Sequence, residues 1–296
     1  MQKVIAIVGA TCSGKTGLAV ALALALDGEV ISADSRQVYR GLDIGTGKVT
    51  SEEMQGIPHH LLDIANPRER YTVAHYRTDA LRAIKDIIAR GKLPIIAGGT
   101  GLYVDALLYE QTIPDVPPNE ELRATLATQQ TNTLFEELVQ KDPVRAVTID
   151  KHNKRRVIRA LEIIATLGAV PIPHKAPARF DHLLVGLSVP KEKLALKIHN
   201  RLIARLNAGM LDEAKRLHAE GLEWNRFNEL GLEYRCMRRH ITGELTYEQM
   251  VQKLEQEIVR YTRRQNLWWK NRTDINWCHA PYLPCAQKLI KEHLKV

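Results

Sequence analysis

A glycine-rich segment near the start of the chain is the feature that most restricts its fold. It reads Gly9-Ala10-Thr11-Cys12-Ser13-Gly14-Lys15-Thr16 and fits the pattern G-x-x-x-x-G-K-[ST]. The β-branched run Val4–Val8 precedes it, and an Ala/Leu-rich segment typical of a helix follows. In this order the backbone N–H groups of the loop and the positive end of the helix dipole point toward an anion. The segment therefore predicts a phosphate-binding loop, in which Lys15 reaches the terminal phosphates and the Thr16 hydroxyl holds Mg²⁺.

The pattern of apolar runs predicts a parallel sheet around this loop. Val30–Ala33 and Leu93–Ala97 are candidate buried strands, and a helical pattern through Tyr76–Ile88 lies between them. Continuous apolar strands separated by helices are typical of a parallel sheet that is covered on both faces. His182–Val189 and Ile275–Cys278 are candidate strands later in the chain.

Two proline-rich segments separate these strands into groups. The first is Ile113–Pro118, and the second, VPIPHKAPAR, spans 170–179. Proline is excluded from helix interiors and from central strands, so both segments are candidate boundaries. The pattern between them, Glu120–Leu167, is helical throughout, and further helices are expected over Lys191–Ala219 and Tyr247–Trp269.

We therefore predict an α/β fold with a parallel-sheet core that resembles the P-loop nucleoside-triphosphate hydrolases and carries an inserted helical accessory domain. The core is expected over 1–114 and again, with C-terminal helices, over 181–296. The accessory region is expected over 115–180, with 200–245 as an alternative extension of it.

Composition argues against a membrane protein and against a disulfide framework. The longest apolar run, Leu18–Leu26, is far shorter than the ~20 residues that a membrane span needs. The four cysteines, Cys12, Cys236, Cys278 and Cys285, are few and scattered, which fits a reducing compartment. The last two are expected to be structural rather than zinc ligands. We expect a cytoplasmic protein that does not bind a membrane.

Charge points toward a polyanionic partner. The chain has 42 Lys and Arg against 34 Asp and Glu, a net charge of +8. Part of the excess lies in Lys151–Arg159 and Arg260–Arg272. Such basic helices either contact phosphates or present a solvated charged face. In the last long helix we expect Trp268 to continue the buried stripe of Met250, Leu254, Ile258 and Tyr261.

The phosphate loop alone leaves the reaction open. The chain has no N-K-x-D motif of the kind that GTPases use to read the base, and Leu93–Ala97 is followed by Gly98-Gly99-Thr100-Gly101 instead of an acidic residue. The conspicuous acid is Asp34, directly after the second strand. Because the carboxyl ends of parallel strands line one crevice, we expect Asp34 beside Lys15 and Thr16. It either caps its own loop or takes part in chemistry.

At this point the chain resembles the tRNA dimethylallyltransferases. The phosphate loop is followed by DSRQVYRGLDIGTGK (Asp34–Lys48), HHLLD (His59–Asp63) and GGTGLY (Gly98–Tyr103) in the order seen in that family. The motifs RxxRALE, beginning at Arg156, and TRRQxxW, beginning at Thr262, complete the resemblance, which covers almost the whole chain.

The resemblance implies an enzyme that transfers a dimethylallyl group from dimethylallyl diphosphate to tRNA. The acceptor is N6 of the adenosine 3′-adjacent to the anticodon, in tRNAs that read codons starting with U, and diphosphate is released. It implies Asp34 as general base, with Lys15 and Mg²⁺ on Thr16 neutralising the leaving group. The partners are the tRNA anticodon stem-loop and dimethylallyl diphosphate, and the protein is expected to be a monomer.

The matched positions also imply binding roles. Gly9 to Thr16 and Arg235 are expected to bind the diphosphate, although Glu233 stands where many family members have Gly in a Gly-Tyr-Arg/Lys motif. The positions expected to bind tRNA are Asp34, Ser35, Arg36, Gln37, Thr100, Arg123, Arg155, Arg156, Val157, Ile158 and Arg159.

Two other functions remain as alternatives. The phosphate loop and the strand order suit a small-molecule or nucleotide kinase. The basic helices suit a non-catalytic RNA-binding protein with a vestigial nucleotide site, against which the intact Lys15, Thr16 and Asp34 argue.

Overall fold

A parallel sheet of six strands organises the larger part of the chain. In the computed structural model, which describes residues 1–171, 176–270 and 272–295, the strand order is β3-β2-β4-β1-β5-β6. All neighbouring strands pair in parallel. This confirms the predicted fold class. The strands are β1 (Lys3–Val8), β2 (Gly28–Ser32), β3 (His59–His60), β4 (Leu93–Gly98), β5 (Asp181–Leu187) and β6 (Ile275–Cys278).

Helices connect the strands and follow them. None of those in the described residues has an apolar stretch long enough to cross a membrane. In chain order they are α1 (Lys15–Leu26), α2 (Ser51–Met54), α3 (Val73–Ala89), α4 (Gly101–Leu108), α5 (Glu120–Thr128), α6 (Thr131–Lys141), α7 (Pro143–Thr148), α8 (Lys154–Leu167), α9 (Lys191–Asn207), α10 (Met210–Ala219), α11 (Trp224–Leu230), α12 (Leu232–Ile241), α13 (Tyr247–Lys270) and α14 (Tyr282–Leu294).

The chain divides into two units. Unit 1 is Met1–Tyr109 with Ala178–Val296, and unit 2 is Glu110–Pro177. Residues 200–245 belong to unit 1. The second proline-rich segment, predicted as a boundary, includes residues 172–175, which lie outside the described residues.

The core of unit 1 follows from the alternation of side chains along the strands. In β1, Val4, Ala6 and Val8 join the apolar cluster under α3 and α4. Ile5 and Ile7 point the opposite way, into the cluster with α1 and α14. Because helices cover both faces of the sheet, the side chains on both faces of the strand are apolar. The strand therefore appears in the sequence as a continuous apolar run rather than as an alternation of apolar and polar residues.

A third cluster in unit 1 is built from helices. α9 to α13 contribute residues such as Leu202, Phe227 and Leu254, and they pack on Val38 and Leu42 from the segment after β2. The helix expected over Lys191–Ala219 is two helices, because Gly209, with φ of +91°, breaks it.

Unit 2 is helical, but in four pieces rather than one. α5 to α8 occupy the segment predicted to be helical throughout, and Asp142 caps α7 by accepting from the Arg145 N–H at 2.9 Å. Leu134, Leu138, Val157 and Leu161 meet in the centre of this unit.

Two sequence-based expectations about unit 1 are wrong. The fully buried indole of α13 is Trp269, whereas Trp268 is 43% exposed and donates its Nε1–H to Asp105. Cys278 and Cys285, expected to be structural and too scattered for a disulfide framework, form a disulfide, because the end of β6 and the first turn of α14 bring their Cα atoms to 5.9 Å.

Candidate active site

A cavity of about 360 Å³ lies at the carboxyl ends of β1, β2 and β4 in unit 1. The phosphate loop and the start of α1 form one wall, Asp34 and Gln37 follow β2, and Ala97 to Gly99 end β4. The carboxyl ends of the parallel strands thus bring Lys15, Thr16 and Asp34 to one cavity, as their positions in the sequence predicted. Glu53, Lys197, Arg201 and Gln265 complete the lining.

The phosphate loop has the properties of an anion cradle. It joins β1 to the N-terminus of α1, where unpaired backbone N–H groups favour an anion. Burial lowers the pKa of Lys15 to about 8, although the Asp34 charge acts in the opposite direction. The Lys15 ammonium donates to Ala10 O at 2.6 Å. Within the described chain, the buried Ser13 hydroxyl has no hydrogen-bond partner.

The carboxylate of Asp34 has two different oxygens. Oδ1 accepts the backbone N–H groups of Arg36, at 2.8 Å, and Gln37, at 3.4 Å, and so closes the turn after β2. Oδ2 accepts no hydrogen bond from any residue that the structure describes. Both sequence interpretations of Asp34 therefore have a structural counterpart: one oxygen caps the loop, and the other is available for chemistry.

Neighbouring contacts tie the Asp34 turn to other parts of unit 1. The Ser35 N–H donates to Thr100 Oγ1 at 3.2 Å, so the turns after β2 and β4 are joined. The Gln37 side chain donates to Gly47 O at 3.1 Å. Three of the residues expected to meet tRNA, Ser35, Gln37 and Thr100, thus lie in one bonded group beside the cavity.

A buried carboxylate anchors the rest of the Asp34–Lys48 segment. Glu213 accepts the backbone N–H groups of Asp43, Ile44 and Gly45 at 2.8 to 2.9 Å, and the Tyr234 hydroxyl at 2.7 Å. A carboxylate that accepts four hydrogen bonds is well satisfied although it is buried. The long motif of the sequence is therefore a loop with a fixed shape rather than a flexible connection.

Glu233, the departure from the family pattern, lies close to this anchor. Its carboxylate is 3.7 Å from Arg205 Nη2. Burial raises the pKa of Glu233 despite the attraction of Arg205.

Several cavity residues were missed by the sequence analysis. Lys197 and Arg201 are separated by one turn of α9, and their spacing of four residues is the signal that could have found them. Arg201 Nη2 donates to Gly47 O at 2.9 Å, and its Nη1 lies 3.9 Å from Cys12 Sγ. Gln265 is a polar residue in the buried stripe of α13 and is 6% exposed.

Arg235 lies apart from the cavity. It is not among the lining residues, and its guanidinium is 3.6 Å from Glu257 on α13. The structure therefore does not bring Arg235 together with the phosphate loop, and Arg201 and Lys197 supply the additional cations there.

Unit 2 separates the predicted tRNA-binding residues into two kinds. Arg123 and Arg159 both bind the carboxylate of Glu162, which is 1% exposed, and Arg123 does so at 2.8 Å. Arg155 and Arg156 are exposed.

The expectation for Val157 is wrong, because it is fully buried in the core of unit 2. Ile158 is partly buried against the same core. Both side chains lie on the inner face of α8, and such a face carries the apolar residues of an amphipathic helix.

Comparisons with known proteins identify relatives over nearly the whole chain. The family model described as IPP transferase matches residues 37–272. The tRNA dimethylallyltransferase of Anoxybacillus flavithermus is 41% identical over 93% of this chain and 90% of its own. The tRNA dimethylallyltransferase of Thermomicrobium roseum is 42% identical over 93% of this chain and 86% of its own.

Solved structures agree with these matches. The tRNA isopentenylpyrophosphate transferase of Bacillus halodurans is 36% identical, with a TM-score of 0.76 over 100% of this chain and 97% of that one. A eukaryotic dimethylallyltransferase acting on tRNA is 27% identical, with a TM-score of 0.79 over 99% of this chain and 78% of that one.

Proposed function

The chain belongs to the IPP transferase family and is an enzyme that transfers a dimethylallyl group to tRNA, and from this premise we propose its donor, its acceptor and the residues that act on each. The donor is dimethylallyl diphosphate. The acceptor is N6 of the adenosine 3′-adjacent to the anticodon, in tRNAs that read codons starting with U. The observation that carries this proposal is that an anion-binding loop and the carboxylate of Asp34 line one cavity.

The diphosphate end of the donor binds the phosphate loop. Backbone N–H groups of the segment Gly9 to Gly14, other than that of Thr11, and the N-terminus of α1 surround the anion, and Lys15 supplies a positive charge. Lys197 and Arg201 line the same cavity and add two cations from α9. As the bond between C1 and the bridging oxygen breaks, negative charge grows on the diphosphate. Cations held in place beforehand stabilise that charge without reorganising.

The donor atoms in the cavity fit a magnesium ion. The hydroxyl of Thr16 and the carboxylate of Asp34 line it, and oxygen ligands are those that Mg²⁺ prefers. Thr16 would hold the ion. When bound, Mg²⁺ supplies further positive charge to the departing diphosphate.

Asp34 acts as the general base. The N6 amine of adenine is a weak nucleophile because its lone pair is delocalised into the ring. As N6 bonds to C1 of the dimethylallyl group, a proton of N6 passes to Asp34 Oδ2. No described residue donates a hydrogen bond to this oxygen. A positioned base of this kind contributes ~10²–10⁴-fold. The adenine must leave its stack to reach the carboxylate.

The remaining tRNA contacts are divided between two sets of residues. Ser35, Arg36, Gln37 and Thr100 contact the target nucleotide beside the cavity. In unit 2 the exposed Arg155 and Arg156 bind backbone phosphates of the anticodon stem. Arg123 and Arg159 bind Glu162 and so hold α5 and α8, the helix that carries Arg155 and Arg156, in position. The protein acts as a cytoplasmic monomer.

Nucleoside analysis tests this function directly. The protein is incubated with a tRNA anticodon stem-loop, dimethylallyl diphosphate and Mg²⁺, and the nucleosides are then analysed by mass spectrometry. We expect N6-dimethylallyladenosine at the position 3′ of the anticodon, and none when that adenosine is replaced by N6,N6-dimethyladenosine.

A parallel assay addresses the kinase alternative, which the family matches do not favour. Labelled ATP is supplied in place of dimethylallyl diphosphate, together with candidate nucleotides and metabolites. Transfer of phosphate from ATP, without any prenyl transfer in the first assay, would show that the protein is a kinase and not a prenyltransferase.

A further inference from the structure

The side chain of Gln265 joins the two loops that carry the chemistry. Its Oε1 accepts the Thr11 N–H of the phosphate loop at 2.8 Å. Its Nε2 donates to Gly99 O, in the turn after β4, at 2.9 Å. The residue is 6% exposed and lines the cavity. One buried amide therefore bridges two segments that are far apart in sequence.

An amide is the side chain that this position requires. One side of the group must accept a hydrogen bond and the other must donate one, and the amide does both without a charge. The approach is so close that a Cβ on Gly99 would lie 2.2 Å from Gln265 Nε2. Because Thr11 directs its N–H to Gln265, that group is not among those that face the anion, and the amide holds the loop without forming part of the cradle.

A second bond extends the connection to the base. Thr100, next to Gly99, accepts the N–H of Ser35, which directly follows Asp34. The path from the phosphate loop to the base thus runs through Thr11, Gln265, the Gly99–Thr100 turn and Ser35. Each link is a hydrogen bond or a covalent neighbour.

The helix that carries Gln265 is held on both sides of this residue. Ile258 is buried in the helical cluster with α9 and α12. Trp269 is fully buried in the cluster under α3 and α4. Two anchors that flank position 265 limit how far the helix can shift. The amide therefore fixes both loops relative to a helix that is itself held in place.

We propose that Gln265 is a positioning residue that sets the distance between the diphosphate in the phosphate loop and the carboxylate of Asp34. The inference rests on the proposed function, since it takes that loop as the donor site and Asp34 as the base. A displacement of about 1 Å between reacting groups lowers a rate by about 10²-fold. Gln265 touches neither reacting atom and acts through the two loops.

The first experiment removes the hydrogen bonds and keeps the volume. Gln265→Met has a side chain of similar length without either bond. We expect kcat for prenyl transfer to fall about 10- to 100-fold. The Kd for inorganic diphosphate, measured by calorimetry, should stay within about threefold, because the anion cradle itself is intact. The matched control is Thr262→Val: Thr262 is also buried on α13, but its hydroxyl donates to Val259 O within the helix.

The second experiment uses protonation to restore the amide pattern. In Gln265→Glu the ionised carboxylate keeps the acceptor for Thr11 N–H but presents a second acceptor to Gly99 O. The protonated acid, with one C=O and one O–H, again accepts and donates in the same places. We expect the ratio of kcat in this variant to kcat in the wild type to rise as pH falls. Taking the ratio at each pH cancels every pH effect that the variant and the wild type share.

The outcomes separate the inference from the proposed function. A loss of kcat in Gln265→Met that Thr262→Val does not share, with a rising ratio for Gln265→Glu, supports positioning. If Gln265→Met keeps kcat within about twofold, or if the Glu ratio is flat with pH, positioning is wrong. Should Gln265→Met not fold, the Glu ratio alone decides. A wild-type protein that transfers no prenyl group to tRNA contradicts the proposed function instead.

Discussion

Single residues in this site carry more than one interaction, and Asp34 is the clearest case. Oδ1 holds the turn through the N–H groups of Arg36 and Gln37, while Oδ2 has no partner in the described chain. The turn fixes the orientation of the carboxylate, and a fixed orientation is what a general base needs. The structural role therefore supports the chemical role that we propose for Asp34.

Asp34→Asn separates these two roles. The amide oxygen can still accept the Arg36 and Gln37 N–H groups, but the amide is not a base. We expect single-turnover transfer to slow by ~10²–10⁴-fold. The affinity for the anticodon stem-loop, measured by fluorescence anisotropy, should hardly change. Asp34→Ala is the comparison, because it also removes the cap and should lower the melting temperature. Transfer by Asp34→Asn at the wild-type rate contradicts the assignment of the base.

If diphosphate binds at the phosphate loop as proposed, Lys15 should make that binding sensitive to pH. Burial lowers its pKa to about 8, so the neutral amine becomes the main form of the free protein above that pH. A bound anion favours the ammonium and raises the pKa, so binding takes up a proton in this range. The affinity for diphosphate should therefore fall, and its Kd rise, as pH increases above about 8. Calorimetry in a pH series measures it. The control is Lys15→Met, in which ionisation of the ligand affects Kd as it does in the wild type. The pH dependence of Kd that this variant loses is therefore due to Lys15. Equal pH dependence of Kd in the two proteins contradicts the prediction.

At the scale of elements, unit 2 is organised by a buried ionic contact as well as by its apolar core. Glu162 on α8 binds Arg123 on α5, Arg159 on α8, and the Asn119 N–H at the start of α5. Burial by itself would raise the pKa of Glu162, but its hydrogen bonds to the two arginines outweigh burial and lower it. Two of the basic side chains of this unit are thus part of its internal structure.

Glu162→Gln should destabilise unit 2. The substitution leaves two partly buried arginines without their anion. We expect a loss of about 2 kcal/mol in free energy of unfolding, less than for a fully buried pair because both arginines are partly exposed. Hydrogen exchange measured by mass spectrometry would detect faster exchange in residues 110–171. Glu137→Gln is the control, because its exposed pair with Lys141 is worth only about 0.3–0.5 kcal/mol.

The lowered pKa of Glu162 also gives a pH signature. A carboxylate whose pKa is lower in the folded state contributes its full stability above its unfolded pKa, and loses it as pH falls through the folded value. The difference in stability between wild type and Glu162→Gln should therefore shrink below pH 4.5. A difference that is constant down to strongly acidic pH contradicts the ionic origin.

At the scale of the whole molecule, the net charge of +8 is not all available to a partner. Arg123 and Arg159 are neutralised in part by Glu162, and Arg235 pairs with Glu257. Arg155 and Arg156 are exposed, and the structure gives them no ion pair with a described residue. The positive charge that can contact phosphate is therefore smaller and more localised than the total indicates.

Salt dependence of tRNA binding tests this distribution. If Arg155 contacts a phosphate, Arg155→Ala should reduce the slope of log K against log salt concentration by about 1 and weaken binding uniformly across sequences. Arg235→Ala is the control on unit 1 and should leave the slope unchanged. Anticodon stem-loop binding by anisotropy over a salt series gives both slopes. An unchanged slope in Arg155→Ala excludes a phosphate contact at that residue.

Local patterns determined the parts of this protein that depend on neighbours in sequence. The phosphate loop, the apolar strands and the position of Asp34 after β2 all follow from short-range rules of backbone geometry and side-chain periodicity. Parallel pairing then brings the strand ends together, so the meeting of Asp34 with Lys15 and Thr16 could be predicted. Helix faces were less certain. At about 100° per residue, eleven positions from Ile258 lead to Trp269 on nearly the same face, whereas Trp268 is turned outward.

Only the tertiary structure decided the contacts that join distant segments. The bond between Thr11 and Gln265 spans 254 positions, and Arg201 lies 189 positions from Cys12. The same holds for Arg235, which pairs with Glu257 instead of reaching the cavity. No pattern within a short window specifies which polar side chain of a buried helix meets which loop. That choice follows from how α9 and α13 pack against the rest of unit 1, and packing is the sum of many small contacts along the whole chain.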